Sequence, residues 1–384
     1  MRASDLLLGR AVPEWVLALA ASDSPTFYQR YGDRLLVWGP GQSAHRPLAQ
    51  RTRIVSLADL KASGRTLEED EHASLVDLGD RVACIEFRTK ANTVGEGVQL
   101  FIEKAIQEAG DVYDALVIGN EGPHFSGGAD LKMMLEKITA EDWAGIEHLI
   151  RTAQRVSMAI KYAPIAIVAA PFGRVLGGGL ELCLHCHRVQ AHADVAMGLV
   201  ETSVGLVPAA GGMKEAVFRT MAPAQGVAWQ YFIMRRSFDA ITQAKVSGSA
   251  WEAFDLGYLR PGDGVSMNRD GLIYAAKQTA LAMLETGWQT PAPVKVKVMG
   301  RDGVSNYRGL LDNMRKGDLI SDHDCYLAGK VAYVLSGGDV DIYTEVDEQF
   351  LLDLERKAFL EICRSPKTVE RMRAMLDTGK PLRN

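Results

Sequence analysis

The sequence predicts an α/β core followed by a helical C-terminal region. Three apolar segments have the pattern of buried strands, and a helical pattern follows each of them (81–87, 114–120 and 165–173). Near-continuous apolar strands that alternate with helices are typical of parallel βαβ units whose sheet is covered on both faces. After about residue 209 the pattern becomes almost wholly helical, and this region is too long to be a mere cap on the core.

Composition indicates an ordinary soluble globular protein. The chain has 384 residues, of which 47% are hydrophobic and 24% charged. A formal charge of −5 argues against a dedicated nucleic-acid binder, although it permits a local basic pocket for a phosphorylated ligand. No apolar run approaches the ~18 residues of a membrane span. The five cysteines have no framework spacing and no signal-peptide pattern is seen, so we expect a reduced, cytoplasmic protein.

The chain divides into three predicted parts. Residues 1–72 carry Gly and Pro punctuation without sustained periodicity, which predicts a linker or docking segment. Residues 73–260 form the predicted α/β core, whose first strand signal contains a hairpin turn at Gly79-Asp80. Residues 261–384 form the predicted helical C-terminal region.

Two glycine-rich segments each follow a predicted strand and start a predicted helix. One contains Gly127-Gly128-Ala129-Asp130, and the other contains Gly177-Gly178-Gly179. At such a helix start the backbone N–H groups point to open space, unobstructed by side chains. Two of these termini that converge would form a two-donor pocket for an oxyanion. Either segment alone is equally well explained as an ordinary turn, and their joint occurrence favours the pocket.

Two glutamates accompany these segments. Glu181 lies two residues after the glycine triplet, and Glu201 lies in the apolar stretch 197–207. Desolvation in such surroundings would raise the pKa of a carboxyl group towards the range useful for general acid–base catalysis. The competing interpretation is two surface glutamates, which is the commoner location of this residue type.

A Cys/His cluster, Cys183-Leu-His-Cys186-His187, has the C-x-x-C-H spacing of covalent haem attachment. Haem attachment requires an oxidising compartment, and a zinc site requires further ligand pairs, for which the nearest candidate is His192. We therefore expect no metal site and interpret the cluster as part of an amphipathic helix with buried cysteines. The chain has neither a G-x-G-x-x-G motif after a strand nor a phosphate-binding loop, so nicotinamide or ATP chemistry would have to come from outside it.

Three motifs carry a resemblance to a known family: FSGGADLKMM, PFGRVLGGGLEL and MGLVETSVGLVPAAGG. Over about residues 75–260 the chain resembles the crotonase (enoyl-CoA hydratase/isomerase) superfamily. This resemblance implies a crotonase-like spiral of ββα units, oxyanion-hole donors at Ala129 and Gly178, and catalytic glutamates at Glu181 and Glu201. It also implies a CoA thioester as substrate and no bound cofactor.

A narrower resemblance extends further along the chain. SLVDLGDRVACIEFRTKANTV and the closing SPKTVERMRAMLDTGKPLRN are similar to the hydratase half of bifunctional 3-hydroxyacyl-CoA dehydrogenase/enoyl-CoA hydratases. Residues 1–72 resemble the connector after the dehydrogenase half of those enzymes. The resemblance implies an NAD-dependent dehydrogenase domain or subunit as partner. We also expect a homo-oligomer.

The resemblance predicts enoyl-CoA hydratase activity in fatty-acid β-oxidation, in which Glu201 transfers the proton and Glu181 holds and activates the water. Two alternatives remain open, a Δ3-Δ2-enoyl-CoA isomerase and a non-catalytic acyl-CoA-binding or assembly domain. The helix after the first oxyanion segment begins Lys-Met-Met, which suggests an apolar acyl pocket. Ala209 stands where many hydratases of the family have glycine, so its methyl group is expected to shift the water. The predicted substrate-binding residues are Lys90, Ala91, Gly127, Asp130, Lys132, Pro208 and Ala209, although both lysines fit solvated surface positions equally well.

Overall fold

A computed structural model describes residues 12–31, 34–47, 53–221 and 227–384 of the chain. The first part contains a short helix, a three-stranded antiparallel sheet and a second helix. Residues 1–11 of the predicted linker segment lie outside the described residues. These elements are α1 (Glu14–Ala20), β1 (Tyr28–Tyr31), β2 (Arg34–Gly39), β3 (Ala44–Pro47) and α2 (Leu57–Ala62).

The main sheet has seven strands in the described chain: β4 (Thr66–Glu69), β5 (Ala73–Gly79), β6 (Val82–Phe87), β7 (Ala115–Ile118), β8 (Ala166–Ala169), β10 (Arg188–His192) and β12 (Gly264–Ser266). Their spatial order is β12-β10-β8-β7-β6-β5-β4. Strands β4, β5 and β6 are antiparallel, whereas β6, β7, β8, β10 and β12 are parallel. The predicted parallel βαβ units are therefore confirmed, and β6, β7 and β8 are buried along their whole length.

The predicted hairpin between β5 and β6 is present, but its turn lies one residue further along the chain than predicted. Asp80 and Arg81 occupy its turn with φ of 55° and 56°. Two successive left-handed residues match the right-handed twist of the flanking strands.

A second, two-stranded parallel sheet consists of β9 (Arg174–Leu176) and β11 (Ala196–Gly198). Ser126 extends it through an isolated parallel bridge to Val175. This small sheet is the support of the candidate site.

Helices cover the main sheet and make up most of the C-terminal half. They are α3 (Glu96–Gln107), α4 (Leu131–Thr139), α5 (Trp143–Lys161), α6 (Gly178–His185), α7 (Gly212–Met221), α8 (Val227–Thr242), α9 (Ala250–Asp255), α10 (Leu272–Glu285), α11 (Gly300–Lys316), α12 (Asp322–Leu335), α13 (Glu348–Cys363) and α14 (Pro366–Thr378). Strands β13 (Val296–Lys297) and β14 (Glu345–Val346) form a short antiparallel pair among them. Within the described ranges, no helix combines the length and apolarity that a bilayer span requires.

Two elements beyond residue 260 pack with the main sheet. Strand β12 pairs in parallel with β10. Helix α10 packs on β7, β8 and β10, and its buried Lys277 donates hydrogen bonds to the carbonyl oxygen of Leu78 (2.8 Å) and to Asp80 (2.7 Å). The main sheet and its covering helices therefore include residues from both the predicted core (73–260) and the predicted C-terminal region (261–384).

Helix α6 differs from the amphipathic helix that the sequence suggests. Every residue from Gly179 to His185 is buried, so the helix has no solvent-facing side. It ends at His185, and the following Cys186 and His187 are also buried. A helix enclosed on all sides lies inside the fold and needs no polar face.

Gly179 offers a test of this packing. A Cβ at Gly179 would lie 2.5 Å from the Cβ of Ser126, so we expect Gly179→Ala to lower the free energy of unfolding by about 1–3 kcal/mol. Gly309, exposed in α11 with open space around it, is the matched control, and Gly309→Ala should raise it by about 0.5–1 kcal/mol. Urea-induced unfolding measures both. A Gly179→Ala variant as stable as the wild type would contradict the close approach of α6 to the Ser126 segment.

Candidate active site

One cavity of about 440 Å³ brings the predicted segments together. The backbone of residues 127–130 and 177–178 lines it, together with Glu181 and Glu201. Much of the rest of its wall is apolar and comes from α4, α5, α13 and α14: Met133, Met134, Leu149, Ile150, Ala153, Phe359 and Met375. The cavity therefore combines a few polar groups with an apolar wall, as small-molecule sites commonly do.

The small parallel sheet explains why these segments meet. Gly178 and Glu181 follow the end of β9, and Glu201 follows the end of β11. The Ser126 bridge aligns a third segment with β9, three residues before Ala129. Since the carboxyl ends of parallel strands lie at the same edge of a sheet, all three segments leave the sheet on one side.

The amides of Ala129 and Gly178 form a pair of unused donors. Neither donates a hydrogen bond within the described residues, and Gly178 is the first residue of α6, where no intrahelical acceptor exists. A Cβ at Gly178 would lie only 3.9 Å from the Ala129 nitrogen, which shows that the two groups are neighbours. Gly128 (φ 89°) and Gly177 (φ 50°), which precede the two amides, adopt the left-handed backbone conformation that glycine accepts without strain.

Glu181 is a buried carboxyl group at the N-terminus of α7. Its Oε1 accepts hydrogen bonds from the amides of Ala210 and Gly212, both at 2.8 Å. Burial raises the pKa of Glu181 to about 7, although the two amides and the positive charge of Lys214 act in the opposite direction. The group therefore changes its charge close to neutral pH.

Glu201 starts a 3-10 helix (Glu201–Val204) after β11. Its Oε2 atom is buried and accepts no hydrogen bond from any described residue. Burial raises the pKa of Glu201 well above the usual range, and the negative charge of Glu181 raises it further. The raised pKa favours the protonated form of Glu201, from which a proton can be donated into the cavity.

A buried ionic cluster lies behind Glu181. The Nζ of Lys214 lies 2.6 Å from Glu215, 2.7 Å from Glu348 and 2.8 Å from Nε2 of His185. Lys161 contacts the same two glutamates, at 2.6 and 2.9 Å. Burial opposes the ionisation of Glu215, but the nearby cations, Lys214 first, hold its pKa well below the usual range. The charges in this cluster compensate one another, as buried ions require.

The Cys/His cluster is part of this packing. Burial and Lys214 hold the pKa of His185 well below its usual range, so the ring is neutral, with Nε2 accepting from Lys214 and Nδ1 donating to the carbonyl oxygen of Glu181. In His187, Nδ1 accepts from the amide of Ile167 (2.9 Å). Burial raises the pKa of both cysteine thiols, Cys183 and Cys186. Among the described residues, no group of three or more His, Cys, Asp or Glu side chains is arranged to hold a metal ion.

The other predicted substrate-binding residues fall into two groups. Gly127, Asp130 and Ala209 line the cavity, and the Asp130 carboxylate also caps α4 by accepting from the amides of residues 132 and 133. The remaining four do not line the cavity: Lys90, Ala91, Lys132 and Pro208. The carbonyl oxygen of Ala91 accepts a hydrogen bond from the amide of Gly127, which does line the cavity (3.0 Å). The Lys132 side chain is 77% exposed.

Helix α13 contributes a residue that the sequence patterns did not single out. Glu355 is fully buried and accepts hydrogen bonds from the amides of Gly211 (2.9 Å) and Lys214 (2.5 Å), beside the amides that bind Glu181. The available signal was its position on the apolar face of α13, four residues after Leu351 and four before Phe359. A charged residue in such a stripe indicates a buried polar partner.

The raised pKa of Glu181 predicts a pH-dependent stability effect. A carboxyl group whose pKa is raised on folding stabilises the protein below its unfolded pKa, and this contribution is lost as the pH rises through the folded pKa. We therefore expect Glu181→Gln to be more stable than the wild type at pH 8, by up to about 3 kcal/mol at about 1.36 kcal/mol per pKa unit, and equally stable near pH 4.

Thermal and urea unfolding between pH 4 and 8 measure this difference. The matched control is Glu361→Gln, since Glu361 is 41% exposed and pairs with Lys330, so its effect should stay within about 1 kcal/mol. A Glu181→Gln variant that is less stable than the wild type at pH 8 would show that the pKa of Glu181 is not raised.

Comparison with known proteins agrees with this geometry. The enoyl-CoA hydratase/isomerase family model matches residues 79–231. The chain is 39% identical over 380 residues to a Bacillus subtilis protein described as "Probable 3-hydroxyacyl-CoA dehydrogenase", covering 98% of this chain. It spans about half the length of the curated relatives it matches, 47% of the Bacillus protein and 42% of a Rickettsia felis relative.

Solved structures show the same fold. An enoyl-CoA hydratase from Rhodobacter sphaeroides superimposes with a TM-score of 0.55 at 19% identity, covering 82% of this chain and 92% of that one. A carnitinyl-CoA dehydratase from Mycobacterium thermoresistibile does so with 0.54 at 17% identity, covering 80% and 90%. Residues 79–231 therefore match the enoyl-CoA hydratase/isomerase family, and the fold that contains them is crotonase-like.

Proposed function

We propose that the chain catalyses the reversible hydration of a trans-2-enoyl-CoA to the 3-hydroxyacyl-CoA, a step of fatty-acid β-oxidation. The observation that carries the proposal is the arrangement of the cavity. Two amides without acceptors, from Ala129 and Gly178, share it with two carboxyl groups of raised pKa, Glu181 and Glu201. Stabilisation of an oxyanion and proton transfer on both sides of a double bond require these groups.

In the proposed reaction the thioester oxygen accepts hydrogen bonds from both amides. Glu181, ionised, takes a proton from water while the water oxygen bonds to C3 of the substrate. The electrons of the C2–C3 double bond move onto the thioester oxygen as an enolate, which the amides stabilise. Protonated Glu201 then gives its proton to C2. Loss of one such amide donor typically costs ~3–4 kcal/mol in the transition state.

The different surroundings of the two carboxyl groups support these roles. Glu181 retains two amide donors, which favour the ionised form, whereas Oε2 of Glu201 has none. The ionised Glu181 also raises the pKa of Glu201. One group is therefore set up to accept a proton and the other to donate one. The hydration step neither oxidises nor reduces the substrate, so it requires no redox cofactor.

The hydration product has the chemistry that an NAD-dependent 3-hydroxyacyl-CoA dehydrogenase consumes. We propose that such a domain or subunit works beside this chain. Two facts support this: a 39% identical relative carries a 3-hydroxyacyl-CoA dehydrogenase name, and the chain spans less than half of that relative.

We expect the purified chain to turn over crotonyl-CoA, measured as the loss of enoyl-thioester absorbance. Glu181→Gln and Glu201→Gln should each lower kcat by about 10²–10⁴, because each removes a proton-transfer group. Glu285→Gln is the control, since Glu285 is an exposed residue at the end of α10.

A second substrate, a trans-3-enoyl-CoA, separates the hydratase from an isomerase. Isomerisation moves a proton without adding water, so Glu181→Gln should lose hydration to the extent given above yet retain some isomerisation. Equal loss of both activities would contradict the role of Glu181 in holding the water. No turnover with short or long acyl chains would leave the non-catalytic acyl-CoA-binding domain as the better account.

A further inference from the structure

The start of helix α7 divides its amides between two buried carboxyl groups. The amides of Ala210 and Gly212 donate to Glu181, and those of Gly211 and Lys214 donate to Glu355. One glutamate from α6 and one from α13 therefore bind alternate amides of the same loop. The N-terminus of a helix carries unpaired N–H groups and a partial positive charge, which favour the ionised form of both carboxyl groups.

We propose that Glu355 is a positioning residue of the active site, whose carboxylate fixes the loop 209–214 so that the amides of Ala210 and Gly212 face Glu181. The proposal rests on the hydratase function assigned to Glu181 and Glu201. Glu355 does not line the cavity, so it acts through this loop and through its charge.

Close packing and a single hydrogen-bond partner restrict the conformation of the loop 209–214. Gly211 has φ of 105°, and a Cβ there would lie 2.6 Å from the His185 ring. A Cβ at Gly212 would lie 2.9 Å from Oε1 of Glu181. The only partner of the Gly211 amide in the described chain is the Glu355 carboxylate. Without it, a buried N–H group would remain unpaired, which is costly.

The charges around Glu355 link it to both catalytic groups. Burial raises the pKa of Glu355 to about 8, and the negative charge of Glu181 adds to this effect. Glu355 in turn raises the pKa of Glu201. From α7, Lys214 acts in the opposite direction, while His185 of α6 is neutral. Lys161 of α5 and Lys330 of α12 face other glutamates of α13, Glu348 and Glu361.

The pH profile of kcat/KM for hydration tests the proposal. Glu355 carries its negative charge only above about pH 8. In Glu355→Gln, loss of that charge should therefore move the alkaline limb, which Glu201 sets, to lower pH by on the order of one pH unit, and leave the acid limb of Glu181 in place. We expect kcat/KM at the optimum to fall about tenfold or more, with the loss in kcat rather than KM, because Glu355 does not contact the cavity. Glu361→Gln, on the same helix, should leave the profile unchanged.

Glu355→Asp keeps the charge and should keep the wild-type limbs even if kcat falls. A Gln variant with lower kcat but an unmoved alkaline limb, or an Asp variant with a shifted alkaline limb, would overturn the proposal. If Glu355→Gln does not fold, the Asp variant alone decides the question.

The pH dependence of stability gives a readout that does not depend on turnover. The wild type should lose stability between about pH 4.5 and 8 as Glu355 ionises, and Glu355→Gln should lose less over the same range. If the wild type is inactive but loses more stability than Glu355→Gln over this pH range, the hydratase function is refuted and the burial of Glu355 is not. If the wild type is active but the two proteins lose the same stability over this pH range, the role of Glu355 is refuted and the hydratase function is not.

Discussion

The site depends on the binding of Glu181 at the N-terminus of α7. A carboxyl group buried without donors would stay protonated over the whole physiological range. The amides of Ala210 and Gly212 compensate part of the desolvation cost, so the pKa of Glu181 falls near neutrality instead. The neighbouring elements of the site hold the Glu181 carboxyl group and these two amides in contact.

The α/β core and the helical C-terminal region share this task. Helix α6 brings Glu181 from the core, and α13 brings Glu355 and Glu348 from the C-terminal region. Beneath them, Gln154 of α5 donates to the carbonyl oxygens of Ala209 and Leu352, at 2.9 and 2.8 Å, and so ties the same loop to α13. At the other wall of the cavity, Thr368 of α14 donates to the carbonyl oxygen of Gly205, next to the Glu201 helix. The cavity is therefore closed by both regions of the chain.

The sequence was sufficient to predict those parts of the fold and site that depend on local patterns. The strands β6, β7 and β8 follow from apolar runs, and the positions of Ala129, Gly178 and Glu181 follow from glycine motifs whose backbone requirements are local. Glu355 could not be assigned in this way, because its partners lie 141 and 144 positions away and are backbone amides, which leave no trace in residue type.

The Cys/His cluster is a conspicuous sequence motif whose role is structural. Its spacing attracts attention as a ligand motif, but its groups serve packing and hydrogen bonding that only the tertiary structure reveals. His185 reaches Lys214, 29 positions later, and Nε2 of His187 pairs with the carbonyl oxygen of Lys161, 26 positions earlier.

The most direct measurement is the titration of the Glu181 carboxyl carbon by ¹³C NMR, in protein labelled at glutamate, with Glu181→Gln for assignment. A resonance that is absent from this variant and titrates with a midpoint near pH 7 is the predicted result. A Glu181 resonance that titrates near the ordinary value of about 4.3 would contradict the account, because the carboxyl group would then be a permanent anion with no proton to exchange near neutral pH.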